Sequence, residues 1–519
     1  MLLHNCLDYW VAKQPLAEFA AHADRRVTYE QAQATVSRIA NAMLASGFRP
    51  GDRVAVVSRN SIELVLLCFG AARVGVVTVP VNHQLAASQW AAIAGDAQAS
   101  GVVAALEFID GIESVRDMLG SVRKWIALDA RIPPHGWTTF DEWLTAAPAA
   151  TPKVSIEPGD DLLQIYTSGT TGTPKGVVLT HRAVMANIDQ INRVLECRPK
   201  ERSLVVLPMF HAAILPTTMA PLVHGGSIYI LPRFDPLKVI EALDSEHISV
   251  ATLVPTMIRS CVDQASDTAA PHRRLRALYY GASPIDPQLL RQAMKTFACD
   301  FIQSYGMTEA SQAATFLAPA DHRTALQGKE PLLLSAGRPA HGTDIKIVGE
   351  NGEALPYGKP GEIVIRGPQI MSRYWNRPAE TEAVLRDGWL RSGDIGVMDK
   401  NGYLYVQDRL KDIIISGGEN VSPKLVEDAL YRHPAVKEAA VIGVPDNKWG
   451  EAVKGLVVLW PGASCTEIEL VEHCRHGLSN AERPRSIEFV AALPLSSTGK
   501  VLKRVLREPY WEGKPKRVN

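Results

Sequence analysis

The sequence lacks an excess of charge of either sign and lacks the usual metal-binding motifs. It has 55 Lys and Arg residues against 55 Asp and Glu residues, so its formal net charge is zero. A nucleic-acid-binding protein usually carries a basic excess, and we therefore expect no nucleic-acid partner. The 7 cysteines and 14 histidines include no Cys-x-x-Cys and no His-Glu-x-x-His. An odd number of scattered cysteines argues against a disulfide framework and for a reducing compartment.

The sequence also lacks a secretory signal and a long uninterrupted apolar run. Residues 1–10, MLLHNCLDYW, have no basic region before the apolar residues, and Asp8 interrupts them. The most apolar segment, residues 64–81, is broken by Arg73 and Gly75 and is too short for a membrane span. We expect a buried helix followed by a strand there, and a cytoplasmic protein without a membrane span.

The chain has 519 residues, which is too long for a single core. Strand-like runs alternate with helical stretches, as is typical of α/β layers with much parallel sheet. These runs predict a helix at 28–47 and strands at 54–58, 76–81, 203–208, 227–232 and 250–255. The predicted fold class is α/β, with a large N-terminal domain over residues 1–408.

The pattern changes after residue 340. Residues 345–368 contain Asn-Gly and Gly-Lys-Pro-Gly turns between alternating apolar runs, which indicates hairpins. We therefore predict a small β subdomain over about 341–408. Residues 409–519 predict a small α+β C-terminal domain. Its predicted helices lie near 423–432 and 466–477, and its predicted strands at 439–444, 453–460 and 486–493.

The clearest chemical signal is the loop YTSGTTGTPKGVV at residues 166–178. Hydroxyl side chains, glycines and Lys175 lie between two predicted strands, 162–166 and 177–181. Small donors and one ammonium suit a polyanion such as a triphosphate, and glycines let the backbone approach its oxygens. The order of residues is not that of a Walker A loop, which needs G-x-x-x-x-G-K-[ST] before a helix. A solvated linker of similar composition is the alternative.

Three further segments stand out, and the first follows a predicted strand. His211 lies in LPMFHAAIL, where a satisfied core histidine is the alternative. The small residues of YYGASP could let a flat ring lie against the backbone. In QSYGMTEAS, Tyr305 could stack on a base, while Thr308 and Glu309 offer the hard oxygen ligands that Mg²⁺ prefers. An ordinary surface acid is the alternative for Glu309.

Two later segments each place a charged residue directly after a glycine. Asp394 in GWLRSGDIG is a candidate for accepting hydrogen bonds from the two ribose hydroxyls. An aspartate that only stabilises a turn is the alternative. Lys500 in LPLSSTGKVLKR heads a basic stretch, for which a solvated tail is the alternative.

Taken in order, these segments resemble one family. The chain is similar over nearly its whole length to the adenylate-forming superfamily, which includes acyl-CoA synthetases, firefly-type luciferases and adenylation domains of peptide synthetases. It most resembles the fatty-acyl and 4-coumarate-type CoA ligases. The motifs that carry the resemblance are YTSGTTGTPKG, QSYGMTE, GEIVIRGP, WLRSGDIG, DRLKDIIISGGENVSP and PLSSTGK.

The resemblance implies an enzyme that joins a carboxylic acid to the α-phosphate of ATP, releases pyrophosphate and passes the acyl group to CoA. It implies ATP, Mg²⁺ and CoA as cofactor and co-substrates. The implied catalytic residues are Lys500, Thr308, Glu309 and His211, and Glu309 is the implied metal ligand. The implied ATP- and AMP-binding residues are Thr167, Ser168, Gly169, Thr170, Thr171, Gly172, Lys175, Gly281, Ala282, Ser283, Tyr305, Gly306, Asp394 and Arg409.

The resemblance also implies a mobile C-terminal domain that rotates about Lys411 after adenylation. That rotation would remove Lys500 and bring Gly417 and Gly418 to the acceptor channel. The implied acyl pocket includes His211, Ala212 and Met307. Relatives that activate amino acids usually have an Asp at the position of His211, so we expect an apolar aliphatic, cyclic or aryl acid without an α-amino group.

Two departures from the family pattern lie in the C-terminal domain. Relatives often have Tyr-Lys-x-Pro where this chain has Ala481-Glu-Arg-Pro484, and Tyr or His where it has Ser422. They leave open an alternative in which an amine takes the acyl group without CoA. A non-catalytic nucleotide or acyl binder is a third hypothesis, and the presence of Lys500, Glu309, Lys175 and Asp394 argues against it. The sequence leaves a homodimer open.

Overall fold

The computed structural model describes residues 1–167, 174–265, 274–417, 419–446, 448–475, 477–495 and 501–512, without the side chains of Glu330 and Lys411. Contacts divide the chain into two compact units. The first comprises residues 1–344 and 366–390, and the second comprises residues 345–365 and 391–519. The predicted domain boundary at residue 408 stays a prediction.

Two sheets form the first unit. One sheet has, in spatial order, the strands Arg338–Pro339, Thr315–Leu317, Asp300–Tyr305, Ala277–Gly281, Val250–Leu253, Arg202–Val205, Ser227–Ile230, Glu18–His22 and Arg25–Thr28. Its inner strands are parallel and its outermost pairs antiparallel. The other sheet has, in order, Arg373–Tyr374, Lys175–Thr180, Asp161–Thr167, Val77–Val81, Arg53–Val57, Gly101–Ala104, Lys124–Ala127 and Thr138–Thr139.

Helices cover these sheets, as the alternating pattern predicts. They are Leu3–Lys13, Tyr29–Ala45, Ile62–Arg73, Ala87–Asp96, Leu106–Glu113, Phe140–Thr145, His181–Leu195, Ala220–Val223, Pro236–Ser245, Pro255–Gln264, Pro287–Phe297, Pro319–Leu326 and Pro378–Val384. Short 3₁₀ turns lie at Arg116–Met118, Thr308–Ala310 and Glu330–Leu334, and a π-helical turn at Leu215–Met219.

Local sequence explains two of these helices well. Thr28 accepts the backbone N–H of Gln31, and the Gln31 side chain accepts the N–H of Thr28, so a capping box starts the helix Tyr29–Ala45. The apolar segment at 64–81 forms the almost fully buried helix Ile62–Arg73 and then the buried strand Val77–Val81, as predicted. Within the described residues, no helix has the length and apolarity to span a bilayer.

Two further sheets lie in the second unit, except for Asp344, Arg366 and residues 385–390, which belong to the first unit. The strands Asp344–Val348, Gly361–Arg366, Trp389–Met398 and Leu404–Arg409 form the first sheet, and Leu385–Arg386 pairs with Trp389 and Leu390. The second sheet contains Glu419–Val421, Ile414–Ser416, Gly450–Leu459, Val436–Asp446 and Ser486–Phe489. The helices are Pro423–Tyr431, Glu467–Arg475 and Lys503–Trp511, with a 3₁₀ turn at Leu410–Asp412. The α/β fold with a smaller C-terminal part is thus confirmed.

Candidate active site

The base of the glycine- and threonine-rich loop is a tight antiparallel pair. Thr167 ends one strand and Lys175 begins the next, and the two residues are register partners. A Cβ atom on Gly176 would lie 2.7 Å from the Gln164 amide nitrogen and 3.0 Å from the Tyr166 ring, so only glycine fits here without displacement. Five predicted phosphate-binding residues lie outside the described residues: Ser168, Gly169, Thr170, Thr171 and Gly172.

A tyrosine that the sequence analysis did not single out links this loop to Glu309. The short strand Arg373–Tyr374 pairs with Val177 and Val178. The Tyr374 hydroxyl donates a hydrogen bond of 2.7 Å to Oε1 of Glu309, and the Lys175 ammonium lies 5.2 Å from the centre of the Tyr374 ring. Burial, and secondly the neighbouring Glu309 carboxylate, raises the pKa of Tyr374, so the phenol remains a donor.

A second tyrosine, Tyr166, lies on the strand that leads into the loop. The Tyr166 hydroxyl donates to the Asp96 carboxylate at 2.6 Å, and the Arg377 guanidinium donates to the same carboxylate at 2.7 Å. The Trp375 indole donates to the Asp96 carbonyl oxygen at 3.1 Å. Burial and the hydrogen bond to Asp96 raise the pKa of Tyr166. The segment after Tyr374 therefore helps to fix the strand that leads into the loop.

The predicted adenine-binding segments lie side by side at the carboxyl ends of two parallel strands. Gly281 is the register partner of Ser304, and a Cβ on Gly281 would lie 2.6 Å from the Ser304 carbonyl oxygen. Ala282 has a positive φ of 70°, which aims the chain away from the strand. In open α/β sheets such strand ends are where ligands bind.

Gly306 is required by a similarly close approach. A Cβ there would lie 2.2 Å from the Gln312 carbonyl oxygen. The Gln312 side chain donates to the Ser304 hydroxyl at 3.0 Å and accepts from the Tyr279 hydroxyl at 2.8 Å. These contacts fold the chain back just after Tyr305, which places Thr308 and Glu309 close to the strand ends.

The oxygen atoms of Thr308 and Glu309 fit a magnesium ion whose other ligands are substrate phosphates. Both residues are 7% exposed and lie in one 3₁₀ turn. Among the described residues, no group of three or more His, Cys, Asp or Glu could form a protein-only metal cage. Mg²⁺ usually binds through one or two carboxylates, with phosphates and water as its other ligands. One buried carboxylate beside a hydroxyl matches that chemistry.

The segment around His211 is largely buried. Ala212 is 5% exposed, and the rings of Phe210 and His211 lie 6.1 Å apart. The buried Asn60 holds the segment in place, since its amide donates to the Leu207 carbonyl at 3.0 Å and its oxygen accepts the Met209 N–H at 2.9 Å. Neither Asn60 nor the π-helical turn that follows was predicted, because both act through contacts distant in sequence.

In the second unit, Asp394 is 6% exposed and its carboxylate lies 3.3 Å from Nε of Arg409. The two residues are register partners on adjacent strands. The backbone N–H of Asp394 donates to the Ser392 hydroxyl at 3.0 Å, which in turn donates to the Ile363 carbonyl at 2.6 Å. The structure therefore brings the predicted ribose-binding pair together.

Farther along the same unit, Lys411 lies in the 3₁₀ turn Leu410–Asp412, and Gly417 has a positive φ of 62°. The N–H of Gly417 donates to the Trp449 carbonyl at 2.8 Å. Gly418 and Lys500 lie outside the described residues.

The chain is similar to known proteins in both sequence and structure. The family model described as "AMP-binding enzyme" matches residues 7–375, and that described as "AMP-binding enzyme C-terminal domain" matches residues 425–500. The long-chain-fatty-acid–CoA ligase FadD13 of Mycobacterium tuberculosis is 37% identical over 498 residues, covering 95% of each chain. A feruloyl-CoA synthase of a Streptomyces species is 36% identical over 96% of each chain. The structure of the amide bond synthetase McbA from Marinactinospora thermotolerans superposes with a TM-score of 0.87 at 28% identity, covering 98% of this chain and all of that chain.

Proposed function

The chain belongs to the family of AMP-binding enzymes, and from that premise we propose that it is an AMP-forming acid–CoA ligase. The observation that carries the proposal is the similarity to two acid–CoA ligases along nearly the whole chain. The structure adds a fact that bears on the mechanism. Tyr374 contacts Glu309 through its hydroxyl and Lys175 through its ring.

The first half-reaction forms the acyl adenylate. A carboxylate oxygen of the acid attacks the α-phosphorus of ATP, the bond from that phosphorus to the bridging oxygen breaks, and pyrophosphate leaves with the electron pair. Mg²⁺ bound with ATP neutralises phosphate charge. Residues 167–175, with Lys175 at the end, are proposed to hold the β- and γ-phosphates, and Thr308 to donate to the α-phosphate. We assign Lys500 to the carboxylate and the α-phosphate, where positive charge lowers the repulsion between the two anions.

The adenosine is proposed to bind at the strand ends of the first unit. Gly281, Ala282 and Ser283 offer backbone against which a flat base can lie, and the close approach of Gly281 to Ser304 supports this assignment. Tyr305 and Gly306 are assigned to the other face of the base. Asp394 is assigned to the ribose hydroxyls, with Arg409 beside it to hold its carboxylate in place.

The acid is proposed to be apolar and to lack an α-amino group. His211, Ala212 and Met307 are assigned to its pocket, and Ala212 and its neighbour Phe210 are both buried. The two relatives act on a long-chain fatty acid and on ferulate. Both are carboxylic acids without an amino group, so both classes belong in the first substrate panel.

The second half-reaction transfers the acyl group to the thiol of CoA. The sulfur attacks the acyl carbon, the bond to the phosphate oxygen breaks, AMP leaves and the thiol proton is released. We assign Gly417 and Gly418 to the acceptor channel and Lys411 to the hinge. The alternative is transfer to an amine, which the similarity to an amide bond synthetase supports. In this chain Ser422 donates to the Asp408 carboxylate at 2.8 Å, a contact that a tyrosine or histidine at this position could not make in the same way.

The location in the cell is proposed to be cytoplasmic. All seven cysteines are free thiols, which fits a reducing compartment. A homodimer stays a prediction.

The test of the proposed function is AMP release with ATP and Mg²⁺, with and without CoA, on a panel of medium-chain, long-chain, aryl and cyclic acids. We expect CoA to raise turnover sharply and an acyl-CoA to accumulate. If pyrophosphate is released while CoA changes nothing, the acceptor is something other than CoA, and amines replace CoA in the next panel. A clear preference for a free amino acid would contradict the assignment of the acid pocket.

A further inference from the structure

We propose that Tyr374 is a positioning residue that orients Glu309 toward Mg²⁺ and couples magnesium binding to phosphate binding at Lys175. The inference rests on the proposed function, because it assumes that Glu309 is the metal ligand. It adds a residue that the family motifs quoted above do not contain.

The backbone fixes Tyr374 relative to the phosphate loop. Tyr374 lies on the edge strand next to Lys175–Thr180, with Val177 as its register partner. The N–H of Trp375 donates to the Gly176 carbonyl at 2.8 Å, one residue from Lys175. The N–H of Tyr374 itself donates to the Thr381 hydroxyl at 3.0 Å. The tyrosine therefore moves with the strand that ends the loop.

Two contacts hold Glu309 to the same segment. The Tyr374 hydroxyl donates to Oε1 at 2.7 Å, and the N–H of Met371 donates to the Glu309 carbonyl oxygen at 2.8 Å. Hydrogen bonds to a carboxylate are stronger than neutral ones, and this one lies in a site where Glu309 is 7% exposed. A carboxylate fixed at one oxygen presents its remaining lone pairs in one direction, which is what a metal ligand needs.

The ring of Tyr374 serves a second contact. The Lys175 ammonium lies 5.2 Å from the ring centre, within the range of a cation–π interaction. One side chain therefore touches the cation proposed for the phosphates through its ring and the proposed metal ligand through its hydroxyl. Because the two contacts use different parts of the side chain, two substitutions can separate them.

The experiment measures binding of α,β-methylene ATP by calorimetry, with and without Mg²⁺, so that no turnover is needed. In Tyr374→Phe, which keeps the ring, we expect the magnesium-dependent gain in affinity to fall about 10-fold, as for the loss of a partner that orients a metal ligand. The dissociation constant without Mg²⁺ should stay within about twofold. In Tyr374→Leu, affinity without Mg²⁺ should also fall, because the contact with Lys175 is lost.

Two comparisons make the test specific. In a Glu309→Gln background, Tyr374→Phe should cause no further loss, because the hydroxyl acts through the carboxylate. Tyr357→Phe is the matched control, since Tyr357 is 68% exposed. An unchanged magnesium dependence in Tyr374→Phe, an equal loss with and without Mg²⁺, or an additive loss with Glu309→Gln would each overturn the inference. Failure of the proposed function appears separately, as absence of AMP release by the unmodified enzyme.

Discussion

At the scale of single residues, two buried histidines make the first unit sensitive to acid. His4 is 7% exposed and His181 is fully buried, and their rings meet edge to face at 5.9 Å. Nδ1 of His181 accepts the N–H of Leu3 at 3.3 Å, so this nitrogen carries no proton. Burial lowers the pKa of each histidine to about 4, helped by Arg73 beside His4 and by His4 beside His181, while Asp8 and Asp160 oppose the shift.

We predict that the protein loses stability as the pH falls from 6.5 toward 4. The folded-state pKa lies below the unfolded value of 6.5, so the unfolded state binds more protons in this range and stability rises with pH. The contribution is fully present above pH 6.5 and is lost as the pH approaches 4. Both histidines together should account for a few kcal/mol, on the order of 1 kcal/mol per pKa unit.

The measurement is urea unfolding at pH 7.5, 6.5, 5.5 and 5.0 for the unmodified chain and for His4→Phe. The variant should show a shallower dependence on pH, because one titrating group is gone, whereas His135→Phe, at an exposed position, should follow the unmodified protein. Parallel pH curves for the unmodified chain and His4→Phe would contradict the prediction.

Single residues also show what the sequence could and could not predict. Gly281, Tyr305, Asp394 and Arg409 were predicted from short motifs, and the structure brings Asp394 and Arg409 together as register partners. Tyr374 was not predicted, because its hydroxyl contacts a residue 65 positions earlier and its strand pairs with a segment nearly 200 positions away. A pairing between such distant segments cannot be predicted from short sequence motifs, and it becomes visible only in the folded structure.

At the scale of elements, periodicity and capping predicted most of the layers. The predicted helix at 28–47 and strand at 54–58 correspond to Tyr29–Ala45 and Arg53–Val57. Boundaries were less predictable. His181 was placed in a strand, but it begins the helix His181–Leu195, because the Thr180 hydroxyl accepts the N–H of Ala183 and caps that helix.

Among the elements, the helix Lys503–Trp511 gives a testable prediction about stability and adenylation. It follows the segment that contains Lys500. Nζ of Lys503 lies 2.8 Å from Oε1 of Glu427, and both side chains are less than one-fifth exposed. The same carboxylate oxygen accepts the N–H of Val441 at 2.8 Å. Burial lowers the pKa of Lys503, but Glu427, Asp408 and Asp412 outweigh that effect and raise it, so the ammonium stays charged. Leu495 and Val501 form a β-bridge at the base of the same segment.

We predict that Glu427→Gln destabilises the C-terminal unit by about 2 kcal/mol, because a largely buried ammonium loses its direct partner and keeps only the charges of Asp408 and Asp412 nearby. Adenylation should also fall, since the helix that follows Lys500 loses one of the ion pairs that hold it. The double variant Glu427→Leu/Lys503→Leu should recover most of the stability, because no charge is left unpaired. Chemical denaturation and AMP formation measure the two effects.

The control lies on the same helix. Arg504 is 65% exposed and pairs with Glu508 one turn later, so Arg504→Ala should change stability by less than about 0.5 kcal/mol. Equal losses in Arg504→Ala and Glu427→Gln would show that the helix is only generally sensitive to charge, and the anchoring role of Glu427 would be wrong.

At the scale of the whole molecule, one chain must complete two different reactions. Residues 1–344 with 366–390 contain Lys175, Glu309 and the strand ends proposed for adenosine, whereas Lys500, Lys411 and Gly417 belong to the other unit. Adenylation needs a cation at the α-phosphate, and thioester formation does not, because the acyl phosphate already carries its leaving group. A separate unit that supplies Lys500 in only one half-reaction would satisfy both demands.

We therefore predict that Lys500→Ala abolishes acyl-AMP formation but leaves thioester formation from supplied acyl-AMP close to that of the unmodified enzyme. Pyrophosphate release from acid and ATP measures the first half-reaction, and acyl-CoA formation from synthetic acyl-AMP measures the second. Removal of a charge that stabilises the transition state costs on the order of 100-fold or more. Lys359→Ala, at an exposed lysine, is the control and should affect neither. Equal losses in both half-reactions would mean that Lys500 takes part in both of them. That result would contradict the hypothesis that the C-terminal unit rotates about Lys411 and removes Lys500 before the second half-reaction.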